Sequence, residues 1–363
     1  MTVGGTLDAA VLEATSMEAG PHPVNLRDFE VLARDRLNPV YYDYFASGAQ
    51  DEVTVAANES AFRRHALVPR ILRGCGPPVL DTSVLGQPSS MPVLIAPTAF
   101  HRLAWPEAEV ATARAAAAAD VIMVAAMLST VTIEEIAATG AKLWFQLYFQ
   151  PDLDLTELLV RRAEAAGCRA LVVTVDSPAL GRNERGDRND FHDLPPGIYC
   201  ANMGDAGHVR QVVLSPEISW AHIDWLRGIT SLPILLKGVL HPADARLAVD
   251  HGVAGLIVSN HGGRQLDTVP ATLDRLPLIA GAVGGQVPLL LDGGVRRGTD
   301  VAKALALGAQ AVAVGRPVLW GLASAGEAGV RKVLELLRTE LANALTLLGV
   351  ATPGELARDQ VEP

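Results

Sequence analysis

Eight short apolar runs recur along this chain, and a segment with apolar residues at helical spacing follows each of them. The runs are residues 92–96, 121–125, 143–147, 170–175, 234–236, 256–258, 288–291 and 311–314. The helical segments are residues 106–119, 132–139, 153–166, 219–228, 242–251, 271–283 and 299–307, with one more after Pro317. A continuous apolar run of this length suits a strand buried on both faces, as in a parallel sheet whose crossovers are helices. Eight strand–helix units in succession are the count of a TIM (β/α)8 barrel. The alternative is a doubly wound open sheet, which more often stops at about five or six strands.

Ahead of the barrel the pattern predicts a short helical segment. Residues 26–37 alternate apolar and charged positions at helical spacing behind Asn25, a suitable N-cap, and a second helix covers residues 41–48. Residues 1–24 are aperiodic and read as a flexible N-terminal extension, leaving residues 25–355 as one domain. With 363 residues and 49% hydrophobic content the chain can bury a large core. Its net charge of −10 and lack of any basic run argue against nucleic acid as a partner. The first twenty residues lack a basic stretch followed by an apolar one, and no apolar stretch is long enough for a membrane span. A soluble, cytoplasmic protein is expected. Cys75, Cys168 and Cys200 are too few and too scattered for a disulfide framework or a metal site.

Polar residues collect where the strands end. Thr98 and Ala99 follow the first strand, Gln146 and Tyr148 the third, Thr174 and Asp176 the fourth, and Lys237 the fifth. Residues 259–267, SNHGGRQLD, follow the sixth; Asp292, Gly293, Gly294 and Arg296 follow the seventh, and Gly315 and Arg316 the eighth. All fall on the carboxyl face, where barrel enzymes build their sites. His261 can move a proton near neutral pH, and Arg264 offers a planar fork of donors for a carboxylate or phosphate. The bland alternative is a polar loop with a satisfied histidine. The paired glycines with Arg296 and Arg316 at two helix starts suit a phosphate. Residues 177–219 form one long connection, which suggests a functional loop, and its charged part, residues 182–190, reads as solvated.

SNHGGRQLD resembles the active-site motif of the FMN-dependent α-hydroxy acid oxidases and dehydrogenases, the glycolate, lactate and mandelate oxidase group. The resemblance continues in YYDYFASGAQDE (41–52), IAPTA (95–99), FQLY (145–148), TVDSP (174–178), LKGV (236–239) and DGGVRRGTD (292–300), and covers residues 25 to about 349. It implies bound FMN. Pro97, Thr98, Ala99, Ala126, Gln146, Thr174, Lys237 and Ser259 would meet its ring and ribityl chain, and Asp292, Gly293, Gly294, Arg296, Gly315 and Arg316 its phosphate end. It further implies His261 as base, Asp176 as its partner, Tyr148 as donor to the substrate oxygen, and Tyr44, Tyr148 and Arg264 as substrate-binding groups. O2 as acceptor and a homotetramer follow from the same likeness. Membrane-bound members carry an apolar insertion after the fourth strand; residues 194–214 show none, which favours a soluble oxidase.

Three positions depart from the family pattern. Asn183 stands where a second substrate arginine is usual, with Arg182 and Arg185 nearby. Ala126 replaces a serine, and Leu128 a bulky tryptophan. A roomier substrate pocket with a weaker carboxylate anchor is expected, so the expected substrate is a bulky or aromatic, mandelate-like 2-hydroxy acid. The alternatives are a derivative lacking the free carboxylate (amide, ester or carrier-tethered) and a catalytically inactive flavin-binding protein.

Overall fold

The computed structural model describes residues 23–205, 208–209 and 212–363, so the expected extension lies almost wholly outside the described residues. Eight parallel strands close into a barrel: β1 Val93–Ile95, β2 Ile122–Ala126, β3 Lys142–Leu147, β4 Leu171–Thr174, β5 Ile234–Lys237, β6 Gly255–Val258, β7 Leu289–Asp292 and β8 Ala311–Val314. The ring closes where Val312 of β8 pairs with Val93 of β1. Side-chain alternation splits each strand between two cores. Leu94, Val124, Trp144, Val172, Leu235, Ile257 and Leu290 fill the barrel, while their neighbours in sequence pack outward against the helices. Each large apolar side chain so buried contributes about 1.5–3 kcal/mol.

An antiparallel hairpin, Thr82–Val84 with Gln87–Ser89, was not expected; Val84 joins the interior cluster. Gln87 Oε1 accepts the Trp144 indole N–H at 2.8 Å, which removes the cost of burying that donor inside the barrel.

The helices before the barrel are α1 Leu26–Arg36, α2 Pro39–Ala46 and α3 Val53–Arg64. The Asn25 side chain caps α1 by accepting from the Arg27 and Asp28 amides. The third of these helices was not anticipated. Around the barrel run α4 Ala108–Ala119, α5 Ile133–Ala137, α6 Leu153–Ala165, α7 Glu184–Arg188, α8 Trp220–Ile229, α9 Pro242–Asp250, α10 Thr272–Val283, α11 Gly298–Ala306 and α12 Arg316–Leu348. The α12 helix breaks at Ala325 and Gly326, where Gly326 (φ +58°) lies so close to Trp105 that an added Cβ would stand 2.5 Å from the ring. The packed chain continues past the expected limit at residue 355: Val361–Glu362 pairs antiparallel with Ala66–Leu67. Among the described residues no helix is long and apolar enough to cross a membrane.

The α7 helix corrects the reading of residues 182–190 as merely solvated. Arg185 reaches back to Asp43 of α2 at 3.3 Å and to Glu52, and Asn189 Nδ2 donates to Asp43 Oδ2 at 2.9 Å. Arg185 and Asn189 thus fix the loop, while Arg182, Asp187, Arg188 and Asp190 stay exposed.

Candidate active site

A cavity of about 920 Å3 opens at the carboxyl ends of the strands, at the upper end of the range for ligand sites. Helix α3 does not line it but holds the loops that do. Asn58 and Asn260 exchange two amide hydrogen bonds, each 2.8 Å. Asp267 accepts from the Thr54 and Val53 amides at 2.8 and 3.2 Å, and so ties the 259–267 loop to the start of α3. These bonds link residues more than 200 positions apart and gave no sequence signal.

The loops after β7 and β8 form an anion cradle. Gly294 has φ +84°, and a Cβ there would lie 2.3 Å from the Asn58 carbonyl oxygen, so no side chain can replace it. Arg296 pairs with Glu59 at 3.2 Å, yet its Nε is buried without a partner. The Arg316 guanidinium donates to the Phe45, Gly262 and Ser47 carbonyls at 2.9–3.1 Å. Burial, and then the Arg264 and Arg296 charges, push Arg316 down to about 9. A guanidinium kept protonated in such surroundings gains from a nearby anion. The orphaned Arg296 donor, the glycine backbone and the start of α12 therefore fit the phosphate of FMN.

The strand ends of β2 to β5 supply the next wall. Gln146 Nε2 donates to Thr174 Oγ1 at 3.0 Å and Gln146 Oε1 accepts the Met127 amide at 3.2 Å. Lys237, only 4% exposed, stands 3.4 Å from Asp292 and donates to Ser259 Oγ at 3.2 Å. Asp292 Oδ1 is buried and unpartnered. A buried ammonium and an orphaned carboxylate oxygen facing one cavity suit a large polar cofactor. Pro97, Thr98, Ala99, Ala126, Gly293 and Gly315 also line it. Ser259 does not; it sits behind Lys237 and accepts the His261 amide at 3.0 Å.

His261 lines the cavity in the left-handed region at φ +58°, a conformation that costs about 1–3 kcal/mol in a residue other than glycine and persists where surroundings enforce it. Its Nδ1 lies 3.0 Å from Asp176 Oδ1. Asp176 itself stands behind the ring rather than in the cavity wall. Burial, then the Lys237 charge, hold His261 below the ordinary imidazole range against the pull of Asp176. Burial raises the Asp176 carboxyl, but the His261 interactions and Lys237 outweigh it and keep it low. The resting pair is therefore a neutral imidazole donating Nδ1–H to a carboxylate, with the Nε2 lone pair unused.

Arg264 Nη1 donates to the Tyr44 and Ser47 carbonyls at 2.8 and 3.0 Å, and its guanidinium lies 5.1 Å from the centre of the Tyr44 ring. Burial, then Asp176, push the Tyr148 phenol well up, so it is a hydrogen-bond donor. Tyr44 is raised for the same first reason. Leu128 and Asn183 also face the cavity. Asn183 Oδ1 accepts the Gly186 amide at 3.1 Å as the N-cap of α7, which leaves Nδ2 as its free polar end. Arg185 is held by Asp43 and Glu52, and Arg182 stands at the rim, 72% exposed and 3.6 Å from Asp187. The apolar residues of 194–214 are scattered in sequence, yet Leu194, Ile198, Val212 and Leu214 converge on this cavity. Among the described residues no group of three or more metal-ligating side chains is assembled.

Fold and cavity together define a (β/α)8 barrel of the enzyme type, with a cradle suited to a phosphorylated cofactor and a hydrogen-bonded His261–Asp176 pair on one face. A family model described as FMN-dependent dehydrogenase matches residues 33–363. An L-lactate oxidase from Nostoc sp. is 49% identical over 352 residues, 92% of this chain and 96% of the relative. Glycolate oxidase from Spinacia oleracea is 47% identical over 93% of this chain and 95% of its own length. A solved structure of a mandelate oxidase variant with (S)-mandelic acid superposes with a TM-score of 0.89 at 43% identity, covering 94% of this chain and 98% of that one. The chain belongs to the FMN-dependent dehydrogenase family, together with these oxidases of 2-hydroxy acids, and FMN is its cofactor.

Proposed function

We propose that this chain oxidises a bulky, mandelate-like (S)-2-hydroxy acid to the 2-oxo acid and passes the electrons to O2, forming H2O2. The observation that carries the reading is the apolar part of the cavity lining, Leu128, Phe191, Leu194, Ile198, Val212 and Leu214, together with Asn183, which leaves Arg264 as the guanidinium fixed beside Tyr44. Side-chain burial then has to supply binding that a second charge would otherwise give, at about 25 cal/mol per Å2. The names of the relatives support oxidation with O2.

In this reading the substrate carboxylate meets Arg264 and the two tyrosines, and its hydroxyl faces Tyr148. His261 Nε2 accepts the substrate proton, and Asp176 stabilises the imidazolium that forms. Lys237 supplies positive charge on the cofactor side. Bound FMN supplies the two-electron acceptor. The Tyr148 phenol, held protonated by burial, donates to the charge developing on the substrate oxygen.

Asn183→Arg tests the substrate assignment. Wild type should turn over mandelate with a higher kcat/KM than glycolate and release one peroxide per 2-oxo acid. The variant restores a charged hydrogen bond of about 1.5–3 kcal/mol, so glycolate should gain on the order of ten- to a hundredfold and mandelate less. Losing the α7 cap costs about 1 kcal/mol, which a melting curve reads separately. A wild type that prefers glycolate, or a variant that changes all acids alike, contradicts the assignment. A second reading, a substrate lacking the free carboxylate, rests on the same neutral Asn183 amide. Mandelamide in the panel separates the two: under that reading it is the better substrate and the variant impairs it.

A further inference from the structure

The reaction as described leaves Gln265 without a task, although its amide joins two parts of the site. Gln265 Oε1 accepts the Gly181 amide at 2.7 Å, and Gln265 Nε2 donates to Ser177 Oγ. Ser177 is 7% exposed and donates to Asp176 Oδ1 at 3.1 Å. That oxygen also receives Nδ1–H of His261 at 3.0 Å. At the other end, Gly181 is pressed onto the same loop: a Cβ there would stand 2.2 Å from the Arg264 carbonyl oxygen and 2.5 Å from that of Gln265. Two residues on is Asn183, in the cavity wall.

A serine hydroxyl carries one proton and two acceptor lone pairs. Gln265 Nε2 donates to one of those lone pairs, which turns the Ser177 proton away from Gln265, and the Asp176 carboxylate is the acceptor that proton meets. Asp176 needs that anchor, because its other oxygen, Oδ2, is buried with no hydrogen-bond partner. With the carboxylate plane fixed, the imidazole is fixed too, and Nε2 keeps its aim. We propose that Gln265 is a positioning residue that, through Ser177, couples the seating of the β4 loop at Gly181 to the alignment of the Asp176–His261 pair. The proposal rests on His261 as the base. It makes base alignment depend on the loop that also carries Asn183, so substrate fit and proton transfer are linked by one hydrogen-bond chain.

The test is a double-mutant cycle on the FMN-loaded enzyme with Gln265→Leu and Ser177→Ala, read as kcat, KM and FMN dissociation constant. Each single variant should lower kcat about tenfold, the scale of one lost buried hydrogen bond, with KM and FMN affinity within about twofold. The double variant should be no worse than either single one, since both cut the same chain. Ser177→Thr keeps the hydroxyl and should stay near wild type. Gln265→Glu can still accept from Gly181 but cannot donate to Ser177, so it should behave like Gln265→Leu. The proposal is overturned if the single effects multiply, if Gln265→Glu matches wild type, or if the Gln265 variants lose FMN or their melting transition while Ser177→Ala keeps wild-type kcat. His261→Ala run beside them separates the two levels. Retained flavin reduction in that variant removes the base assignment, whereas its loss with an unaffected Gln265→Leu removes only the coupling.

Discussion

Replacing His261 with alanine should slow substrate-driven flavin reduction by about 10²–10⁴-fold while FMN stays bound. The imidazole lines the cavity and is braced from behind by Asp176 at 3.0 Å, whereas the anion cradle is built from Gly293, Gly294, Arg296 and Arg316 on other loops. The two proposed functions are spatially separate, so this one change should remove proton transfer and spare the cofactor. The pH dependence has a definite sign. A base acts only when unprotonated, so kcat/KM falls as pH drops through its pKa. Burial and Lys237 hold His261 below its usual value of about 6.5. The acidic limb should therefore lie below the ordinary imidazole range, and Asp176→Asn, which removes the opposing upward pull, should move it lower still. Rapid-mixing traces of the variant and a wild-type pH profile check both points. Near-normal reduction in His261→Ala would remove the residue from the role of base.

Arg264→Leu should produce the second large effect, and a selective one. On the proposed reading, with Asn183 uncharged and Arg185 engaged by Asp43 and Glu52, a bound carboxylate would depend on this guanidinium. Removing one partner of a buried, hydrogen-bonded charge pair costs about 2–5 kcal/mol, which is roughly thirty- to several-thousandfold in kcat/KM. Part of any loss is structural, because Arg264 also holds the Tyr44 and Ser47 carbonyls and packs over the Tyr44 ring. Comparing mandelate with mandelamide isolates the charge: the acid should lose far more than the amide. Equal losses for both would mean that Arg264 acts only by supporting α2.

The barrel was legible because its strands are buried on both faces and read as unbroken apolar runs. The expected strands lie within a residue or two of those observed, and β8 coincides with its run at residues 311–314. The wall of the site was legible for the same reason, since a strand end fixes which residues face the cavity. Depth was not. Ser259, matched to a cofactor position through the resemblance, stands behind Lys237 and does not line the cavity, whereas Asp176 stands against His261, where the resemblance put it. Helix α3, half of it valine, alanine and a single threonine, carries little amphipathic signal, and its value lies in pairs such as Asn58 with Asn260 that only the closed barrel brings together. Residues 182–190 looked solvated because a run of charges does not reveal that Asp43 and Glu52 of a distant segment neutralise Arg185. Gln265 belongs to the motif quoted from the sequence, but its task depends on Gly181 and Ser177, more than 80 positions away.

The most direct measurement is anaerobic mixing of the FMN-loaded protein with a panel of 2-hydroxy acids, followed by admission of oxygen. Mandelate should bleach the visible flavin absorbance fully and faster than lactate or glycolate, and oxygen should restore the colour with one H2O2 formed per flavin. Absence of bleaching by any 2-hydroxy acid, or bleached enzyme that oxygen fails to reoxidise, would contradict the assignment of this chain as an oxidase of bulky 2-hydroxy acids.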